Sequence, residues 1–257
     1  MALLTVLAAD ALAAAAAERI TSIIEESVGS RQAADRGLQA ADYEQRSAFV
    51  ALTGGATVPP VYRSLADPGR PWRQRIPWRH VHAFWGDERH VPPSDRDSNF
   101  GMTAATLLSR VSIPASQIHR MRGELPADEA AREYETELRE GFRAAGRPDE
   151  TFDLMLLGLG ANGHIASIFP ASPVFDEHAR RVAAVWVPEL ETFRITLTPA
   201  ALLASRHIVM IVAGAQKADA VQTALEGPLD PTRCPAQLLR AAGDRVEWLI
   251  DRAAARR

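Results

Sequence analysis

Short apolar runs alternate with helix-like segments along this chain, and that alternation restricts the possible fold more than any other feature. The runs "SAFVALT" (47–53), "VHAFWGD" (81–87), "FDLMLLG" (152–158), "RVAAVWV" (181–187), "HIVMIVAG" (207–214) and "VEWLI" (246–250) read as strands, with a shorter one at "RITLT" (194–198). Between them lie "GGATVPPVYRSLA", a loop entering a helix, then "SNFGMTAATLLSR" with Ser98 as its N-cap, the charged helical segment "ADEAAREYETELREGFRAAG", and a helix from about Gln216. At the N-terminus a strand or extended segment leads into a helix from about Asp10, with Ile20, Ile23, Ile24 and Val28 on one face. Strands alternating with helices predict an α/β fold: a Rossmann-like, mostly parallel sheet with helices on both faces. The length of 257 residues accommodates this as a single domain spanning 1–257.

Several function classes are disfavoured by composition. The net charge of -3 gives no global basic field for nucleic acid or an anionic membrane. The stretch "DPGRPWRQRIPWRH" (67–80) holds four arginines and two tryptophans, but it is short and reads as a solvated loop with Trp78 packed at a strand entrance. The N-terminal apolar stretch lacks a basic start and is interrupted by Asp10, so it is not expected to be a signal peptide. No run is long enough to span a bilayer. The one cysteine, Cys234, fits a reducing compartment, and a cytoplasmic location is expected. Because Cys234 stands in "DPTRCPAQLL", outside every motif, it reads as structural rather than as a thiol nucleophile.

Ligands of an open parallel sheet bind at the carboxyl ends of its strands, and four features fall there. The first is "LTGGAT", where Gly54 and Gly55 could bring backbone N–H groups to a phosphate, or simply form a strand-to-helix turn. The second is "GDERHVPPSDRDSN", with Asp87, Glu88, Arg89 and His90 in succession: a solvated loop or a site, without metal-ligand spacing. The third is "LGLGANGHIASIFP", which puts His164 in a glycine turn just past a strand, either as a hydrogen-bonded turn residue or as a catalytic group. The fourth pairs Arg194 of "RITLT" with Lys217 of "VAGAQKA", each a surface cation alone and, with the glycine loop, a phosphate clamp.

Taken together, "LTGGAT", "FWGDERHVPPSDRDSNFGM", "LGLGANGHIASIFP", "RITLT", "VAGAQKA" and "VEWLID" resemble the 6-phosphogluconolactonases, nearly end to end. The resemblance implies a fold shared with glucosamine-6-phosphate deaminases. It also implies hydrolysis of 6-phospho-D-glucono-1,5-lactone in the pentose phosphate pathway, with no cofactor and no metal. The expected partner is that small sugar-phosphate lactone, not nucleic acid or membrane, and the expected assembly is a monomer or small homo-oligomer. By the same resemblance His164 is the general base, with Asp87 and Asn162 in the catalytic group. Gly54, Gly55, Thr57, Arg89, Asn99, Arg194 and Lys217 then contact substrate and phosphate.

A δ-lactone is an activated ester, so a base that activates water suffices and no covalent nucleophile is required. Three departures from the family pattern stand out: Asn162 where Asp is usual, Ile165 where Thr is common, and Ala56-Thr57-Val58 where the loop usually reads Ser-Thr-Pro. The neighbouring deaminases continue their histidine motif as Ala-Phe-Asn-Glu-Pro and carry Tyr at the position of Arg89. Here the sequence reads Ala166-Ser167-Ile168-Phe169-Pro170, without the acid, which favours the lactonase. A sugar-phosphate-binding protein without turnover is the remaining alternative, supported only by Asn162.

Overall fold

The computed structural model describes residues 2–34 and 47–256. Nine strands occur among the described residues, namely β1 Leu3–Leu7, β2 Ala48–Leu52, β3 Val81–Trp85, β4 Asp87–Arg89, β5 Phe152–Leu157, β6 Val182–Val187, β7 Thr192–Leu197, β8 Ser205–Val212 and β9 Val246–Asp251. The helices are α1 Ala9–Ala34, α2 Pro59–Ala66, α3 Trp72–Arg75, α4 Asn99–Thr106, α5 Ala127–Ala144, α6 Pro199–Leu203 and α7 Ala218–Glu226.

Six strands form one sheet in the order β1-β9-β8-β5-β2-β3, every neighbouring pair parallel. Its central strands are apolar on both faces because both faces are covered. Phe49, Ala51, Met155 and Leu157 pack with α5 and α7, whereas Val50, Leu52, Leu154 and Leu156 pack with Ile20, Ile23 and Ile24 of α1 and with Val61 and Leu65 of α2. The expected two-faced parallel sheet is therefore present. Within β5, the buried Asp153 accepts from both ends of the Arg147 guanidinium (2.5 and 3.0 Å) and from the Phe49 amide (2.8 Å), so its charge is fully partnered.

The second sheet differs from the sequence reading. β4, β7 and β6 form a three-stranded antiparallel sheet that packs against α5. "VHAFWGD" thus ends as a parallel strand at Trp85. After Gly86 the chain starts a new strand at Asp87, in a stretch expected to be loop. Gly86 links the sheets directly: its N–H donates to Leu52 O, and its carbonyl accepts from Leu197 N, each at 2.9 Å. The arginine-rich stretch 67–80 presents no aromatic platform. Trp72 and Trp78 are both buried, with indole N–H groups bonded to Ser64 O and Arg73 O, and Arg75 is paired with Glu18 and Glu25.

Candidate active site

Four connections carry the site, leaving β2, β3, β5 and β8 at the carboxyl end of the parallel sheet. After β2 comes the glycine loop, and after β5 the His164 turn. β4 follows β3 and contributes Asp87 and Arg89, and the turn after β8 brings Lys217.

His164 is held from three sides. Its Nδ1 lies 2.7 Å from Asn162 Oδ1, which also accepts from the His164 amide at 3.3 Å. A carbonyl oxygen cannot donate, so Nδ1 carries the hydrogen and the lone pair of the neutral ring rests on Nε2. Phe169 stacks on the ring with centroids 4.3 Å apart. Underneath lies Gly160, where a Cβ would stand 2.0 Å from Nδ1, so only glycine leaves room for the imidazole. Burial is the main influence on the ring and pushes its pKa down to about 4. The charge of Asp87 pulls the other way, while Lys217, Arg89 and Arg194 reinforce the drop.

Asp87 is buried, and both its oxygens have donors: Ser167 Oγ at 2.7 Å and Asn99 Nδ2 at 3.2 Å. The Asn99 side chain fills the space over Gly54, where a Cβ would come within 1.7 Å of its Oδ1. Glu88 points elsewhere. Its carboxylate accepts from the amides of Asn99 (2.7 Å) and Phe100 (2.8 Å) and from Ser98 Oγ (3.1 Å), closing the start of α4. Ser98 caps that helix as expected, accepting from Gly101 N at 3.0 Å.

Arg89 and Arg194 face each other across β4 and β7. Burial, and then the adjacent Arg89 charge, lower the Arg194 pKa. Two like charges opposed on a ladder are unfavourable unless an anion joins them. Lys217, its pKa lowered by burial, borders a cavity with Arg89, His164 and the glycine loop.

These groups border two adjoining cavities. One, of about 270 Å³, is lined by Gly54, Gly55, Thr57, Asn99 and Lys217; the other, of about 440 Å³, by Asn162, Phe169 and Arg194. Asp87, Arg89 and His164 border both. The structure thus gathers every residue expected at the site, with Lys217 bordering the cavity of the glycine loop and Arg194 the adjoining one. Sequence reasoning missed Ser167 and Phe169 as partners of the site, although both lie in the quoted histidine stretch. Among the described residues, no group of three or more His, Cys, Asp or Glu side chains could hold a metal ion, and no helix is long and apolar enough to cross a membrane.

Residues 8–248 match the family described as glucosamine-6-phosphate isomerases/6-phosphogluconolactonase. A 6-phosphogluconolactonase from Mycobacterium tuberculosis is 39% identical over 255 residues, covering 96% of this chain and 94% of the relative. One from Haemophilus influenzae is 35% identical over 207 residues, covering 80% of this chain and 86% of the relative. The crystal structure of a 6-phosphogluconolactonase from Thermotoga maritima superposes with a TM-score of 0.77 at 28% identity, covering 98% of this chain and all of that one.

Proposed function

The chain belongs to the glucosamine-6-phosphate isomerase/6-phosphogluconolactonase family, and we infer that it hydrolyses 6-phospho-D-glucono-1,5-lactone to 6-phospho-D-gluconate in the pentose phosphate pathway. The observation that carries the mechanism is a neutral imidazole, its proton fixed on Nδ1 by Asn162, bordered by three cations and one buried carboxylate.

In this reading Nε2 of His164 takes a proton from water as the water oxygen attacks the lactone carbonyl carbon. The ester bond to the ring oxygen then breaks, the imidazolium returns the proton to the leaving alkoxide, and the product carries a carboxyl group. General-base assistance of this kind contributes about 10²–10⁴-fold. Asp87 supplies the negative charge that favours the transient imidazolium against Arg89, Arg194 and Lys217. The cations hold the remote phosphate and position the reacting carbon. A deaminase reading is less well supported, because the stretch Ala166-Ser167-Ile168-Phe169-Pro170 after His164 lacks the deaminases' acid and Arg89 stands where they carry Tyr. The buried single thiol fits a cytoplasmic enzyme.

The test is a lactone-hydrolysis assay corrected for spontaneous hydrolysis, with His164→Ala alongside. The wild type should turn over the phosphorylated lactone, and the variant should still bind 6-phosphogluconate while losing most of kcat. Wild-type kcat in the variant would remove His164 from the role of base.

A further inference from the structure

Ser167 lies three residues past the base and is 2% exposed. Its Oγ donates to Asp87 Oδ2 at 2.7 Å, across a sequence separation of 80 residues. Its amide donates to Thr196 Oγ1 at 3.3 Å. Thr196 is the residue directly opposite Asp87 on the β4–β7 ladder, so Ser167 grips both members of one cross-strand pair. Between His164 and Ser167 the chain reverses through Ala166, a non-glycine residue at φ 47°. Such a left-handed turn persists only where its surroundings hold it. Here it sets His164 at both cavities, while Ser167, which borders the cavity shared with Arg194, bonds to the second sheet.

We propose that Ser167 is a positioning residue for the hydrolysis: it locks the His164 turn onto β4 and holds the Asp87 carboxylate oriented beside the base. The proposal rests on the lactonase reading above. Two donors satisfy Asp87, and only Ser167 comes from the segment that carries the base; Asn99 comes from α4. Loss of the hydroxyl would leave Asp87 with one side-chain donor in a buried setting, free to rotate away from the base. The charged or titratable groups around it are His164, Arg89, Arg194, Lys217, Glu88, Glu189 and Tyr62. An imidazolium forming next to three cations then loses its compensating charge, an effect on kcat rather than on phosphate binding.

The experiment is a double-mutant cycle on the full chain: wild type, Ser167→Ala, Asp87→Asn and the double variant, each with a kcat/KM–pH profile. Ser167→Ala should lower kcat at least tenfold, leave KM within about twofold, and lower the acidic limb of the profile, because the Asp87 charge that raises the His164 pKa is displaced. In the Asp87→Asn background the same change should cost less than threefold, because residues acting through one another are not additive. Ser167→Thr, which restores the hydroxyl, should recover most of kcat. Equal losses in both backgrounds, or a Ser167→Ala enzyme with wild-type kcat and profile, would overturn the proposal. If Ser167→Ala does not fold, Ser167→Cys, with a weaker donor of similar shape, carries the same comparison. No hydrolysis by the wild type above the spontaneous rate would instead defeat the lactonase reading and this inference with it; a wild type that hydrolyses alongside an indifferent Ser167→Ala defeats this inference alone.

Discussion

Asn162 Oδ1 and His164 Nδ1 are 2.7 Å apart. The side chain that departs from the family's usual Asp is therefore the direct hydrogen-bond partner of the proposed base. An amide oxygen fixes the tautomer of the ring as a carboxylate would, but without a full negative charge to favour the imidazolium. Burial accordingly dominates and brings the ring to about 4, well below the value of about 6.5 for an unperturbed histidine. A base is useful only when neutral. With a lowered pKa, the working form is present from near pH 4 upward and is lost as pH falls through that value.

Asn162→Asp should move the acidic limb of the kcat/KM–pH profile upward. A carboxylate on Nδ1 favours the protonated ring and raises its pKa, so the variant loses its neutral base at a higher pH than the wild type does. The free-enzyme profile reads this ionisation directly, with the fold checked by circular dichroism. An unmoved or lowered limb would reduce residue 162 to a support of the turn, a role Asn and Asp share.

Gly160→Ala tests the close approach under the ring. A methyl group 2.0 Å from Nδ1 cannot coexist with the present imidazole position, so the ring must shift and the Asn162 bond must lengthen. Misplacement of a catalytic group by about 1 Å can cost on the order of 100-fold, and a loss of kcat approaching that size is expected. Thermal stability should change much less. A variant with full kcat would show that the base has room to move without consequence.

The parallel sheet was legible because its strands are continuous apolar runs separated by helical periodicity, and the capping serine of α4 because a cap is a local signal. The His164 turn was legible for the same reason: glycines around a histidine past a strand form a contiguous pattern. Asp87–Arg89 was not readable as a strand, since three charged residues carry no period-2 alternation and their pairing partner lies 105 or more residues away in β7. Glu88 looked equivalent to Asp87 in sequence. Only the placement of α4 turns it into a helix cap and leaves Asp87 facing the base. The lowered pKa of His164 and the Ser167–Asp87 bond likewise depend on burial and distant neighbours, which local sequence does not encode.

The Arg147–Asp153 pair should matter for stability and not for chemistry. Both side chains are buried, the geometry is bidentate, and the pair lies near the start of β5, away from the His164 turn at its end. Asp153→Ala leaves the guanidinium buried without its partner, which typically costs about 3–5 kcal/mol. Denaturant unfolding should show a matching fall in midpoint, while kcat per folded molecule stays near the wild-type value. An unchanged midpoint would contradict the assignment of this pair as a fully desolvated contact.

Arg89, Arg194 and Lys217 should separate phosphorylated from unphosphorylated substrate. Arg89 and Arg194 oppose each other on neighbouring strands, and Lys217 borders the glycine-loop cavity together with Arg89. A phosphate joining such cations relieves their repulsion and gains charge-assisted hydrogen bonds worth about 1.5–3 kcal/mol each. Replacing any one by Ala should therefore lower kcat/KM for the phosphorylated lactone by roughly ten- to hundredfold, chiefly through KM. Turnover of plain gluconolactone should change far less, because the lost contact is to the phosphate alone. The comparison also locates the phosphate. A larger discrimination for Lys217→Ala puts it in the glycine-loop cavity, and a larger one for Arg194→Ala puts it in the cavity beside Phe169. Equal losses on both lactones would mean that these cations serve the fold or the base rather than the phosphate.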